Sequence, residues 1–224
     1  MNTYRVLAAV LSYPSEDLAA DVNEMTAILD QEGILGPGDR QALSPLLADL
    51  QQMDIYDLQA RYGELFDQSR SLSLNLFEHI HGESLDRGQA MVDLQERYRA
   101  RGLEPSSTEL PDHLPVFLEY LSELPAEEAR SELAEARAVI AALAKRLRRR
   151  ATPYAAVLEA LAHLAEEAAP SADLAELTQE TPESDPPTVD AQWQEEPVDF
   201  SRKEKGFVRR QRARAQGAAF RGHP

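Results

Sequence analysis

The sequence contains no cysteine, few aromatic residues and no long apolar run, and these absences remove several classes of protein. Without cysteine the chain can form no disulfide, thiolate zinc site, cysteine-held iron–sulfur cluster or cysteine nucleophile. No stretch approaches the roughly 20 apolar residues of a membrane-spanning helix, and the N-terminus has no basic stretch leading into an apolar one. We therefore expect a cytoplasmic protein without stable membrane association.

Positive charge is scarce in most of the chain and is concentrated at its end. The 224 residues carry a net charge of −16, but residues 201–224 hold eight Lys and Arg against one Glu. Residues 1–200 consequently hold 15 basic and 38 acidic side chains, a net charge of −23. A body this acidic repels nucleic acid and membrane phosphates and attracts cationic segments. The charge predicts a cationic peptide or protein as partner, and no nucleic acid.

The apolar residues are mainly Leu and Ala, a mixture that favours helices over strands. Apolar positions recur at helical spacing between capping residues. Ser15 is expected to cap a helix that ends at Gly33, Asp54 a helix that runs to Phe66, and Asp112 the helix that follows it. We also expect a short helix opening at Ser44–Pro45 and one long helix over about residues 126–150. The pattern predicts an all-α fold with a single compact helical domain over residues 1–169.

The character of the chain changes after residue 169. Residues 170–200 contain nine acidic residues, five prolines and no basic residue, and residues 201–224 form a basic C-terminal arm. Neither composition can bury enough apolar surface to offset the entropy of ordering. We expect an acidic, proline-rich linker and a basic arm, both disordered.

The segment from Glu78 to Glu83 places two histidines and two carboxylates within six residues. Imidazole and carboxylate suit zinc or iron, so a metal hydrolase built on His79 and His81 is one hypothesis. No other dense cluster of ligand residues completes such a site, and an ordered segment that lines a groove is the alternative. We expect an irregular but ordered backbone over residues 67–84, no metal and no catalytic residue.

Three stretches of the sequence resemble one known family. The longest is SLSLNLFEHIHGESLDRGQAM over residues 71–91, preceded by YGELFD over residues 62–67. LPDHLPVFLEYL over residues 110–121 is similar to a second signature of that family, and LSYP over residues 11–14 to its opening. The family is that of the respiratory nitrate reductase delta subunit, the NarJ-type molybdenum cofactor assembly chaperones. The likeness covers about residues 4–165.

This resemblance implies an all-helical chaperone without enzymatic activity and without a cofactor of its own. It implies binding to the N-terminal peptide of the apo nitrate reductase alpha subunit, with insertion of the molybdenum cofactor and an iron–sulfur cluster before membrane docking. Cofactor-delivery proteins are further candidate partners. The alternative from another class is a helical adaptor or regulator that binds nucleic acid through the basic arm.

The matched motifs and the side-chain types together select the candidate peptide-binding residues. Aromatic side chains would supply apolar anchors, and acidic or imidazole groups would meet a cationic peptide. The candidates are Tyr62, Phe66, Phe77, Glu78, His79, His81, Glu83, Asp112, His113, Phe117 and Glu119.

Overall fold

A computed structural model of the chain describes residues 1–81, 85–104 and 109–166. Within these ranges the chain forms ten α-helices. They are α1 (Asn2–Val10), α2 (Glu16–Glu32), α3 (Pro37–Gln52), α4 (Ile55–Tyr62), α5 (Leu76–His81), α6 (Leu85–Ala100), α7 (Leu114–Glu123), α8 (Ala126–Glu135), α9 (Arg137–Arg149) and α10 (Ala155–Glu166). A π-helical turn (Gly63–Asp67) and a 3-10 turn (Arg70–Leu72) lie between α4 and α5.

The all-α prediction is confirmed, because the described ranges contain no strand beyond one isolated bridge between Asn75 and His113. Helix α10 lies at the centre of the core and packs on α9, α8 and α3. Its Val157, Leu158 and Leu161 are fully buried. Helix α1 packs on α7 and α2. Helix α10 is apolar on nearly all sides, and a helix of this kind has to lie inside the bundle.

The predicted caps are present where the capping group and its helix are adjacent in sequence. Ser15 Oγ accepts a hydrogen bond from the Leu18 N–H at 3.2 Å, and Asp54 Oδ1 accepts one from the Tyr56 N–H at 2.9 Å. Gly33 ends α2 with φ +60°, and Gly102 follows α6 with φ +73°. Such left-handed backbone suits glycine because it has no Cβ.

The predicted helix start at Ser44–Pro45 is wrong. Helix α3 begins at Pro37 and passes through Pro45 without a break. An interior proline costs about 3 kcal/mol, mainly through the lost hydrogen bond and ring clash. Buried leucines on both sides of Pro45 outweigh this cost, since each contributes about 1.5 to 3 kcal/mol when fully buried. These are Leu43, Leu46, Leu47 and Leu50.

Three other boundaries differ from the prediction. The helix expected to reach Phe66 is α-helical only to Tyr62 and continues as the π-helical turn. The long helix over residues 126–150 is divided at Ala136, whose φ of −89° and ψ of −1° separate α8 from α9. Residues 67–84, expected to be irregular, include the six-residue helix α5. The linker 170–200 and the arm 201–224 lie outside the described residues.

Candidate functional site

Two of the recognised sequence motifs meet in space around the isolated bridge. The Leu76 N–H donates to the Asp112 carbonyl at 3.0 Å, and the Leu114 N–H donates to the Leu74 carbonyl at 2.8 Å. These bonds join the start of α5 at Leu76 to the start of α7 at Leu114, 38 positions apart in sequence. Segments 69–81 and 110–121 therefore form one structural unit.

Asp112 caps α5, the helix across the bridge, and not the helix that follows it in sequence. Its Oδ2 accepts a hydrogen bond from the Phe77 N–H at 2.9 Å, and Asp112 is fully buried. The position before α7 is taken by His113, which makes no capping bond with its side chain. Burial raises the pKa of Asp112, while the Phe77 N–H and the Arg87 charge act in the opposite direction. The prediction that Asp112 caps α7, the helix that follows it in sequence, is wrong.

Both ring nitrogens of His79 are engaged by the protein. His79 Nε2 lies 2.8 Å from the Ser73 carbonyl, to which it donates, and Arg146 Nη1 lies 3.4 Å from His79 Nδ1. Arg146 Nη1 also donates to the Ser71 carbonyl at 2.8 Å. His79 therefore fastens α5 to the preceding turn and to α9. No group of three or more metal-binding side chains lies among the described residues, so the metal-hydrolase hypothesis has no described ligand set there.

An apolar groove of about 250 Å³ lies between α5, α6, α7 and α8. We call it the α5–α8 groove. Its apolar lining consists of Leu76, Phe77, Ile80, Ala90, Leu94, Phe117 and Ala136. Its polar lining consists of His81, Asp93, Arg97, Glu132 and Glu135. Three of the four charged groups are acidic, so the groove combines an apolar floor with a mainly negative edge.

The structure brings three of the eleven candidate residues into this groove. Phe77 and Phe117 contribute to the floor, and the His81 ring lies 5.7 Å from the Phe77 ring, centroid to centroid, in an edge-on arrangement. Phe77 is half-buried, whereas Phe117 is only 5% exposed. Phe77 is therefore the candidate aromatic ring that a ligand could reach most directly.

Two other aromatic candidates belong to the core. The Tyr62 hydroxyl donates to the Leu11 carbonyl at 2.9 Å, and its ring packs 4.8 Å from the Phe66 ring, centroid to centroid. Both rings also lie against Tyr154. Burial raises the pKa of Tyr62 well above its ordinary value. This aromatic cluster joins the 62–67 segment to Tyr154, the residue before α10, and is separate from the α5–α8 groove.

The remaining candidates are dispersed. Glu78 pairs with Arg87 at 3.1 Å and borders a polar cleft of about 440 Å³ that Phe66 also lines. His113 Nδ1 lies 3.9 Å from Glu109, and burial lowers the pKa of its imidazole. Glu119 is exposed on a third cavity, next to α1. Glu83 lies outside the described residues.

Sequence reasoning missed most of the residues that complete the groove. Leu94 and Arg97 come from α6, and Glu132 and Glu135 come from α8. The i,i+3 spacing of the two glutamates was a signal that they share a helix face. Nothing in the sequence indicated that this face would meet α6.

Lowering the pH should destabilise the protein through His79. Burial lowers the pKa of this imidazole below its ordinary 6.5, so the native state binds the proton more weakly than the unfolded chain. The free energy of unfolding should therefore fall as the pH drops below about 6.5. His79→Gln retains a donor for Ser73 and an acceptor for Arg146 but cannot gain a charge.

Urea unfolding at pH 7.5 and pH 5.5 measures this effect. The variant should lose less stability than the parent between the two pH values. His79→Gln combined with His113→Gln should lose less still, because burial also lowers the pKa of His113. Equal losses for the parent and both variants would contradict the assignment.

A groove with an apolar floor and a charged edge is typical of proteins that bind an amphipathic helix of a partner. The described helices include none that is both long and apolar enough to span a membrane. Residues 32–160 match the family model described as nitrate reductase delta subunit. The chain belongs to the nitrate reductase delta subunit family.

Individual relatives agree with the family match. The chain is 44% identical over 196 residues to the nitrate reductase molybdenum cofactor assembly chaperone NarJ of Escherichia coli K12, covering 87% of this chain and 83% of NarJ. It is 36% identical to NarW of the same strain, named as a probable chaperone of this kind, with 89% and 84% covered.

A solved structure shares the fold. It is that of a proposed redox enzyme maturation protein from Archaeoglobus fulgidus, with a TM-score of 0.50 and 26% sequence identity. The match covers 73% of this chain and 91% of the other.

Proposed function

We propose that the chain is a nitrate reductase assembly chaperone that binds the N-terminal peptide of the apo alpha subunit. By holding this peptide it would keep the subunit from docking at the membrane while the molybdenum cofactor and an iron–sulfur cluster are inserted. Its relatives are named as molybdenum cofactor assembly chaperones, which is a non-enzymatic role. The cofactor is cargo of the partner enzyme, and this chain acts in the cytoplasm as a binding protein.

The observation that carries the proposal is the α5–α8 groove itself. Leu76, Phe77, Ile80 and Leu94 present apolar side chains into a cavity. An amphipathic helix would place residues spaced by three or four positions on such a floor. Burial of these anchors would supply most of the affinity, because a few desolvated apolar and aromatic anchors usually dominate the binding free energy of an interface.

Charge supports a cationic peptide over a neutral or acidic one. Asp93, Glu132 and Glu135 line the groove beside the single cation Arg97. Residues 1–200 carry a net charge of −23, which would also accelerate encounter with a basic segment. Of the candidates chosen from sequence, Phe77, His81 and Phe117 remain our proposed contacts at the groove. The other candidates would require a peptide that extends beyond it.

Binding of the alpha-subunit N-terminal peptide should weaken with added salt and persist in part. Mobile ions screen charges over about 8 Å at physiological ionic strength and about 3 Å at 1 M, whereas apolar burial is not screened. Asp93→Asn should flatten the salt dependence and lower affinity at low salt by less than about 1 kcal/mol. Calorimetric titration at several salt concentrations measures both effects.

Glu119→Gln is the matched control, because Glu119 is an exposed carboxylate on a different cavity. It should bind the peptide with the salt dependence of the parent. If Asp93→Asn and Glu119→Gln have the same affinity and salt dependence, the edge of the groove does not bind the cationic groups of the peptide.

Deleting residues 171–224 tests the alternative of a nucleic-acid-binding adaptor, since the helical body alone should still capture the peptide. Loss of capture would show that the arm is essential to binding.

A further inference from the structure

Helix α6 forms one wall of the α5–α8 groove yet is fastened by few buried side chains. Between residues 86 and 100 only Leu94 and Tyr98 are buried. The Tyr98 hydroxyl donates to the Pro111 carbonyl at 2.7 Å, which secures the C-terminal end of the helix. Val92 remains 47% exposed although it is a large apolar residue. A helix held this way can separate from its neighbours at lower cost than the core helices.

Arg97 connects this wall to the opposite side of the groove. Its Nη1 lies 3.0 Å from Glu132 Oε2 and 3.1 Å from Glu135 Oε2, and both glutamates belong to α8. All three side chains line the groove. One guanidinium thus neutralises two carboxylates and spans the gap between α6 and α8. The neighbouring pair, Arg101 with Glu128, joins the turn after α6 to α8 and does not line the groove.

We propose that Arg97 is a positioning and specificity-determining residue, which holds α6 against α8 in the empty groove and yields Glu132 and Glu135 to a cation on the incoming ligand. The identity of that ligand as a cationic peptide rests on the proposed function. This exchange of ion pairs favours cationic ligands. A ligand that carries a guanidinium or ammonium group forms new ion pairs with Glu132 and Glu135 in place of those with Arg97, so breaking the Arg97 pairs costs little.

A purely apolar ligand would separate Arg97 from its partners and leave two carboxylates without a counter-charge. Because Arg97 and Glu135 are about half exposed, solvent screens part of this loss, and it weakens binding of such a ligand by a few-fold. Arg97 therefore makes the groove discriminate against apolar segments without a cation.

The first test measures access to the groove without any peptide. Because the chain contains no cysteine, Ala90→Cys in the full-length protein places a single thiol on the groove lining. Adding Arg97→Ala should accelerate reaction of this thiol with a maleimide by roughly three- to fivefold, the shift that exposed ion pairs typically support. Arg101→Ala in the same background is the matched control and should leave the rate unchanged.

Arg97→Lys should restore most of the slow labelling, since it retains the charge with weaker geometry. Glu132→Gln with Glu135→Gln should accelerate labelling as Arg97→Ala does, and combining the three changes should add little. Equal labelling rates in the parent, Arg97→Ala and Arg101→Ala proteins would overturn the proposal.

The second test uses the alpha-subunit peptide at low salt and separates competition from simple loosening. Arg97→Ala should tighten binding by roughly three- to fivefold because it frees two carboxylates. Glu132→Gln with Glu135→Gln should weaken it, although it loosens the same contact. Changes of the same sign in both variants would overturn the exchange mechanism. Faster labelling of Arg97→Ala with no peptide binding in any variant would instead refute the proposed function and support the positioning role of Arg97.

Discussion

A strain that lacks this chain should make its nitrate reductase subunits but lose most nitrate reductase activity. Under the proposed function, an apo alpha subunit whose N-terminus is unprotected would dock before its cofactor is inserted. The purified enzyme should be short of molybdenum cofactor, which mass spectrometry of bound molybdenum and assays of released pterin would measure. Immunoblots should show the alpha subunit close to its normal amount.

A second molybdoenzyme in the same strain is the control. It should keep its activity, because the proposed role is in cofactor insertion into nitrate reductase and not in cofactor synthesis. Restoring the parent chain should restore nitrate reductase, and restoring a chain with Phe77→Ala should do so less well. Normal molybdenum content in the deletion strain would refute the assembly role.

Phe117→Ala and Phe77→Ala should separate folding from binding, although both rings line the α5–α8 groove. Phe117 is 5% exposed and packs beside Tyr120, with ring centroids 6.3 Å apart. Its truncation should lower the free energy of unfolding by about 3 to 5 kcal/mol, since a buried ring leaves a cavity. Phe77 is half-buried, so its truncation should cost less stability and about 1 to 3 kcal/mol of peptide binding.

Urea unfolding and peptide titration on the same samples would measure the two effects. Phe117→Leu is the control for volume and should recover most of the stability that Phe117→Ala loses. The distinction fails if Phe77→Ala binds the peptide as tightly as the parent while remaining folded. In that event the ligand contacts another part of the surface.

The distinction between these two rings illustrates what sequence reasoning could not provide. Both rings belong to recognised motifs, and both were chosen as peptide contacts on the same grounds. Phe117 lies on α7 within the bundle, and Phe77 lies on α5 at its edge. Exposure depends on which helices pack over a residue, and local sequence does not specify that packing.

The candidate site was accordingly predicted in part. The recognised motifs contain α5 and the start of α7, and both contribute to the groove. Tyr62 and Phe66 instead pack in the aromatic cluster with Tyr154, and Glu119 faces a different cavity. The wall formed by α6 and the carboxylates of α8 were not predicted, because these residues come together only in the folded bundle.

The sequence by itself determined the features that depend on neighbouring residues. Helical periodicity specified an all-α protein, and Ser15, Asp54 and Gly33 specified helix ends, because each acts on a backbone within a few residues of itself. The resemblance of residues 62–91 and 110–121 specified the family. Each of these signals lies either in a few neighbouring residues or in one contiguous stretch of sequence.

Only the tertiary structure decided the features that depend on distant partners. Asp112 caps α5 because the bridge at Asn75 brings the two segments together, and the buried leucines of α3 stabilise a helix that Pro45 alone would interrupt. Arg97 likewise faces Glu132 and Glu135 only because the folded bundle brings α6 and α8 together. In each case the free energy comes from contacts between segments far apart in the chain, whose formation depends on the packing of the whole bundle.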